Sequence, residues 1–138
     1  MPEWTDALYE PAHLIGRIIF SLVFIRSGML HLTQLDALSA YAAGKGVPAA
    51  RATTVLTGLM IIVGGVLVAL GWHRFIGAGL LVIFIFPTAF VMHPFWKETD
   101  PMTRANERAH YFKDLALGGA ALLLAQYAYQ PWPFSLGG

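Results

Sequence analysis

The chain has no cysteine, and only 12 % of its residues are charged. The first absence removes disulfide exchange, thiolate nucleophiles, iron–sulfur clusters and Cys-ligated zinc from the chemistry the chain can perform alone. A redox role must therefore run through a bound cofactor or a partner. The second absence is more informative, because about a quarter of the residues in soluble domains are charged. Hydrophobic residues make up 57 % of this chain and its mean hydropathy is +0.59, a composition whose surface water would reject. The nine basic residues are scattered and the formal charge is +1, so the basic patch that nucleic acid requires is missing and no nucleic-acid partner is expected.

What the chain has instead is long apolar runs. Thr53 to Trp72, Phe75 to Met92 and Leu115 to Tyr129 contain no charged residue, and a fourth run, Ala12 to Leu32, is broken only by Arg17 and Arg26. A hydrocarbon core of about 30 Å needs roughly 20 apolar residues in a helix. The expected fold is all-α: a single polytopic membrane domain over 1–138, with four transmembrane helices near 11–32, 52–72, 74–93 and 110–130. Pro87 should kink the third helix by removing a donor and crowding the Ile83 carbonyl. Glu3, Asp6 and Glu10 stand where a signal peptide is basic, so the first helix is read as retained.

The connection after the first helix carries Leu35, Leu38, Tyr41 and Ala42 at amphipathic spacing, which predicts a short helix lying along the interface. Trp4, Trp72, Trp96 and Trp132 all fall at expected helix ends, as an aromatic belt does. Gly64, Gly65, Gly77, Gly79, Gly118, Gly119, Ala121 and Ala125 supply small surfaces for close helix packing within the bundle. Lys45, Arg51, Lys97, Arg104, Arg108 and Lys113 lie on the side of the two longer connections, against Arg17 and Arg74 on the side of the termini. The bias places the connections in the cytoplasm and both termini outside. Arg17 reads as an anchor on that terminal side.

The ionisable groups gather at one end. His31 ends the first helix, His93 ends the third, and His110 and Asp114 begin the fourth, so the topology brings them to the same membrane face. Ser21, Phe24, Gly28 and His31 form one stripe, and Ser27 lies one turn from His31. Arg26 lies roughly 140° around the helix from His31. His, Arg, Trp and Asp suit a quinone headgroup whose tail occupies an apolar groove, and Asp114 could fix a histidine tautomer or exchange protons with it. The candidate binding residues are His31, His93, Trp96, His110 and Asp114, with Arg26 and Lys113 as secondary members. A haem or a metal would need imidazoles aimed at one point, which spacing does not show. The bland alternative is that these groups sit among lipid headgroups and cap or snorkel there.

His93-Pro94-Phe95-Trp96, then Asp100, Arg104 and Glu107, then His110 to Gly119 resemble the DoxX family of small four-helix membrane proteins. Gly16-Arg17-Ile18, Ser27-Gly28 and Val63-Gly64-Gly65 add to the likeness. The resemblance implies four transmembrane helices and a role as a subunit of a membrane oxidoreductase system, in a family linked to quinone-dependent sulfur oxidation and to oxidative stress. It also marks two departures. Ile61 and Ile62 stand where many relatives have a glutamate before the paired glycines, and Asp114 stands where asparagine is frequent.

Two functions follow from these readings. One is an inner-membrane anchor and quinone-headgroup-binding subunit, not a stand-alone enzyme, with quinone as the cofactor and a membrane or soluble redox protein as the partner. The other is a non-catalytic scaffold that docks a soluble partner through Pro94 to Arg108. A homo-oligomer remains open, and a solute transporter is disfavoured by the two uncharged helices and the lack of an inverted repeat.

Overall fold

The computed structural model describes residues 3–137, the side chains of Glu3 and Asp6 excepted. Five α-helices follow one another: α1 Glu3–Thr33, α2 Leu35–Gly44, α3 Ala50–Leu70, α4 Arg74–Met92 and α5 Pro101–Gln126. Single 3-10 turns occupy Phe95–Lys97 and Tyr127–Tyr129, and there is no strand among the described residues. The four expected long helices are α1, α3, α4 and α5, and α2 is the short helix in the first connection.

Three helical segments, Ala7–Thr33, Ala50–Leu70 and Arg74–Lys97, are long and apolar enough to cross a membrane. The fourth helix, α5, is mixed. Its first fourteen residues carry Arg104, Glu107, Arg108, Lys113 and Asp114, and only the run from Leu115 onward is apolar. It begins earlier than the apolar run because Asp100 caps it: the Asp100 carboxylate accepts the Thr103 N–H and hydroxyl, both at 2.8 Å, and Pro101 takes the first helical position. At the other end of the chain α1 begins at Glu3 and carries Pro11 inside it. A proline there removes one backbone bond without ending a helix whose other bonds remain.

The long helices pack in chain order, α1 on α3, α3 on α4 and α4 on α5, while α2 lies on α3. Glycines set the close approaches. A Cβ on Gly28 of α1 would stand 2.5 Å from the Gly58 carbonyl oxygen of α3, and one on Gly64 of α3 would meet the Gly77 carbonyl oxygen of α4 at 3.0 Å. Gly65 faces Ser21 and Ile25, and Gly118 faces Phe86 and Ile85. Gly79 and Gly119 differ from expectation, since nothing lies within 4 Å of a Cβ on either. The stripe Ser21, Phe24, Gly28 is buried as the spacing predicts. Phe24, with Phe20, joins the core of Ile61, Val68, Leu81, Ile85 and Ala121. Across this core α1 meets α4 and α5 through aromatic side chains rather than close backbone packing.

The terminal side holds two corrections. Arg17 is not a lipid anchor but is 2 % exposed. Its Nε donates to the Ala69 carbonyl at 3.1 Å, and its two terminal nitrogens donate to the Pro133 and Phe134 carbonyls at 2.6 and 2.5 Å. The cause is a supply of bare carbonyls: the end of α3 and a proline-containing tail cannot satisfy their own oxygens. Trp132 likewise leaves the expected aromatic belt. It is buried, its indole N–H donates to the Tyr127 carbonyl at 3.0 Å, and Arg17 and Arg74 lie 5.9 and 5.5 Å from its ring. Trp4, Trp72 and Trp96 stay exposed.

Candidate functional site

At the end opposite Trp132, the helices part around a cavity of about 620 Å³. Val23, Phe24, Ser27 and His31 of α1 form one wall, and Ile83 to Met92 of α4 contribute to the other. Thr53, Thr54, Thr57 and Met60 of α3 lie between them, and Leu38, Tyr41 and Ala42 of α2 also line the space. Most of this lining is apolar. Pro87 belongs to it, and next to it Thr88 donates to the Phe84 carbonyl at 2.7 Å.

Polar groups enter at two places. On the α1–α3 side, His31 Nδ1 lies 3.3 Å from the Thr57 hydroxyl. That hydroxyl donates to the Thr53 carbonyl at 2.8 Å, so toward His31 it is an acceptor. On the α4–α5 side, His93, Lys113 and Asp114 reach the cavity.

The second group is built by local sequence rules. His93 precedes Pro94, which pushes it out of the helical conformation, and its φ of −122° ends α4. Its ring turns toward α5, stacking on His110 with centroids 5.1 Å apart. His93 Nδ1 lies 2.8 Å from Glu107 Oε2, and Nε2 lies 3.6 Å from Asp114 Oδ2. Glu107 and Asp114 are seven residues apart on α5, two turns along one face, so the imidazole sits between two carboxylates. Lys113 Nζ is 3.6 Å from Asp114 Oδ1 and 3.3 Å from His110 Nδ1. The Tyr41 hydroxyl of α2 donates toward Glu107 Oε1 at 3.4 Å. Outside the spans, burial and the neighbouring Glu107 carboxylate push the Tyr41 phenol above its ordinary value, so it remains a donor.

The chain matches the DoxX family over residues 12–94. It belongs to the DoxX family. The match spans α1 to the end of α4, whereas much of the motif from His93 to Gly119 lies past its end. The chain is also similar to the inner membrane protein YphA of Escherichia coli strain K12, with 29 % identity over 112 residues, 81 % of this chain and 79 % of that protein. No solved structure matches it.

Within this DoxX fold, the sequence-predicted residues separate into two groups. His31, His93, Lys113 and Asp114 line the cavity. His110 stacks behind His93 without lining it, Trp96 packs edge-on against Tyr111 at 5.6 Å, and Arg26 is exposed on α1 outside the lining. Glu107, Tyr41 and Thr57 are not among the site residues expected from sequence. Glu107 could have been, since Glu107, His110 and Asp114 follow the i, i+3, i+7 pattern of one helix face. Thr57 sits in an uncharged run whose helix reads as uniformly lipid-soluble. Among the described residues no group of acids and histidines has the geometry of a metal site.

Proposed function

We propose that this DoxX protein binds the headgroup of a quinone in the cavity and serves as a membrane subunit of a quinone-linked oxidoreductase system in the bacterial inner membrane. The observation that carries the reading is the cavity itself: about 620 Å³, mostly apolar, with a few polar side chains placed at its edges. That volume and lining are typical of a small-molecule site. A quinone ring offers two carbonyl oxygens, and Lys113 can donate to one of them. Reduction turns those oxygens into hydroxyls, which can donate to the His31 ring and to the Asp114 carboxylate. Ile83, Pro87 and Val91 line the apolar part, where an isoprenoid tail would lie. The surrounding lipid is both solvent for the helices and the source of such a ligand. The positive-inside bias supports cytoplasmic connections, and the name of the Escherichia coli relative supports the inner membrane.

The test is retention and affinity. Protein purified in mild detergent is extracted and its small molecules identified by mass spectrometry, and a short-tailed quinone is then titrated into delipidated protein. Wild type is expected to retain quinone, and His31→Ala and Asp114→Asn each to bind the short-tailed quinone about tenfold more weakly, the equivalent of one hydrogen bond. Phospholipid alone in wild type, with no saturable quinone binding, overturns the reading.

One observation favours the scaffold reading as a second. Pro101 to Asn106 and Arg108 are exposed, a charged helical stub that projects Met102 and Arg104. If that stub docks a soluble partner, charge reversal at Arg104 and Arg108 abolishes co-purification while His93→Ala leaves it intact.

A further inference from the structure

We propose that Glu107, His93 and Asp114 form a proton relay between the surface that bears the α4–α5 connection and the interior cavity. The relay's use rests on the cavity holding a ligand that takes up and releases protons, as a quinone does; its existence rests on geometry alone. Glu107 is at the outer end, 2.8 Å from His93 Nδ1 with its side chain 15 % exposed. Asp114 is at the inner end, lining the cavity with its side chain 6 % exposed. The 3.6 Å between His93 Nε2 and Asp114 Oδ2 is an ion-pair distance, about 0.4 Å longer than a hydrogen bond, so the inner step of the relay needs a rotation of the Asp114 carboxylate toward the ring. An imidazole is the side chain that can take a proton on one nitrogen and give one up from the other.

The transfer balances simply. A protonated Glu107 gives its proton to Nδ1 as the Nε2 proton passes to the Asp114 carboxylate. One proton has crossed, the ring stays neutral, and a half-turn flip of the imidazole, which exchanges the places of its two nitrogens, resets it. The other groups facing the relay have definite roles. Tyr41 donates to the far oxygen of Glu107 and orients it, with Lys45 against the tyrosine ring and itself paired to Glu98. Lys113 sits beside Asp114 and His110, and His110 stacks on His93. His31 lines the same cavity from the opposite wall. Toward the terminal side lies the apolar core of Phe24, Ile61, Leu81 and Ile85, all at most 4 % exposed. Protons reaching the cavity along this relay therefore come from the connection side.

The experiment follows Asp114 itself. The protein in lipid nanodiscs is subjected to a pH jump, and its carboxyl infrared bands are recorded over time; the Asp114 band is the one lost in Asp114→Asn. In wild type the band should respond rapidly, and Glu107→Gln or His93→Gln should slow it at least about tenfold. Asp36→Asn, a carboxylate of the same side that pairs with Arg51 and touches none of the relay groups, should leave the rate unchanged. Thermal melts of each variant establish that the helices are intact. An Asp114 band that responds equally fast in Glu107→Gln and His93→Gln overturns the relay, as does the absence of any titrating Asp114 band. Titration of a short-tailed quinone into the same samples separates the two proposals: a relay that passes this test in a protein that binds no quinone leaves the relay standing and removes the ligand.

Discussion

Arg17 and Arg26 lie on one helix, yet one is buried under three carbonyls and the other is exposed. The difference is the partner each meets. A guanidinium can serve several acceptors at once in fixed directions, which a lysine ammonium cannot reproduce at these positions. Arg17→Lys should therefore loosen the C-terminal tail, and Arg17→Ala should cost about 1–3 kcal/mol for the acceptors left unpaired in a dry site. Trp132 fluorescence, read against a Trp132→Phe background, should move to longer wavelength in both, and tail cleavage by protease should rise. Tail protection equal to wild type in Arg17→Ala would refute the clamp. Gly28 gives the matching prediction for packing. Its missing Cβ is what lets α1 lie against the Gly58 carbonyl, so Gly28→Ala should lower stability by about 1–3 kcal/mol through forced separation. Gly119→Ala, with open space around the added carbon, should be close to neutral in the same melts. From sequence Gly119 is among the expected packing surfaces and Gly28 belongs only to the stripe that ends at His31, because a small residue announces the possibility of close approach and not the direction in which it faces.

Among the elements, α5 is where local chemistry and hydropathy disagree. Its apolar run starts at Leu115, but the helix starts at Pro101, because Asp100 caps it and proline favours a first turn. The hydrogen bonds from Thr103 hold the Asp100 carboxyl below its ordinary value. A lowered folded pKa means that the cap's contribution is complete above the unfolded pKa and is lost as pH falls through the folded one. Amide hydrogen exchange over residues 101–106 should accelerate on acidification, should be fast at every pH in Asp100→Ala, and should lose its acid dependence in Asp100→Asn. An unchanged exchange profile in Asp100→Ala would show that packing, not the cap, holds those turns. The signal was present in the order Asp100-Pro101-Met102-Thr103, and hydropathy alone passed over it. The same holds for the site. Four of its polar side chains are legible because helix ends cluster, and Glu107 falls on the same face of α5 as His110 and Asp114, whereas Tyr41 depends on how α2 and α5 come together, which no periodicity records.

At the scale of the whole molecule, the two ends of the bundle are built differently. The terminal end is closed by Trp132 and the clamped tail, and the other opens into the cavity and its acid–imidazole group. Such polarity gains meaning only from its orientation in the bilayer. The basic residues near the helix ends favour the connections as the cytoplasmic side. The lack of cysteine makes a direct test clean, because any thiol introduced is the only one present. Single substitutions Thr99→Cys in the α4–α5 connection and Gln130→Cys beyond α5 both occupy exposed positions. In intact spheroplasts a membrane-impermeant maleimide should label Gln130→Cys and spare Thr99→Cys, and both should react once the membrane is opened. The reverse pattern would invert the protein and with it the chemistry, since the relay would then draw protons from outside. Labelling of both in intact spheroplasts would mean mixed insertion, and no net direction of proton uptake could be built on a population facing both ways. With the expected pattern, the cavity exchanges protons with the cytoplasm and any oxidation or reduction of its ligand is tied to cytoplasmic pH.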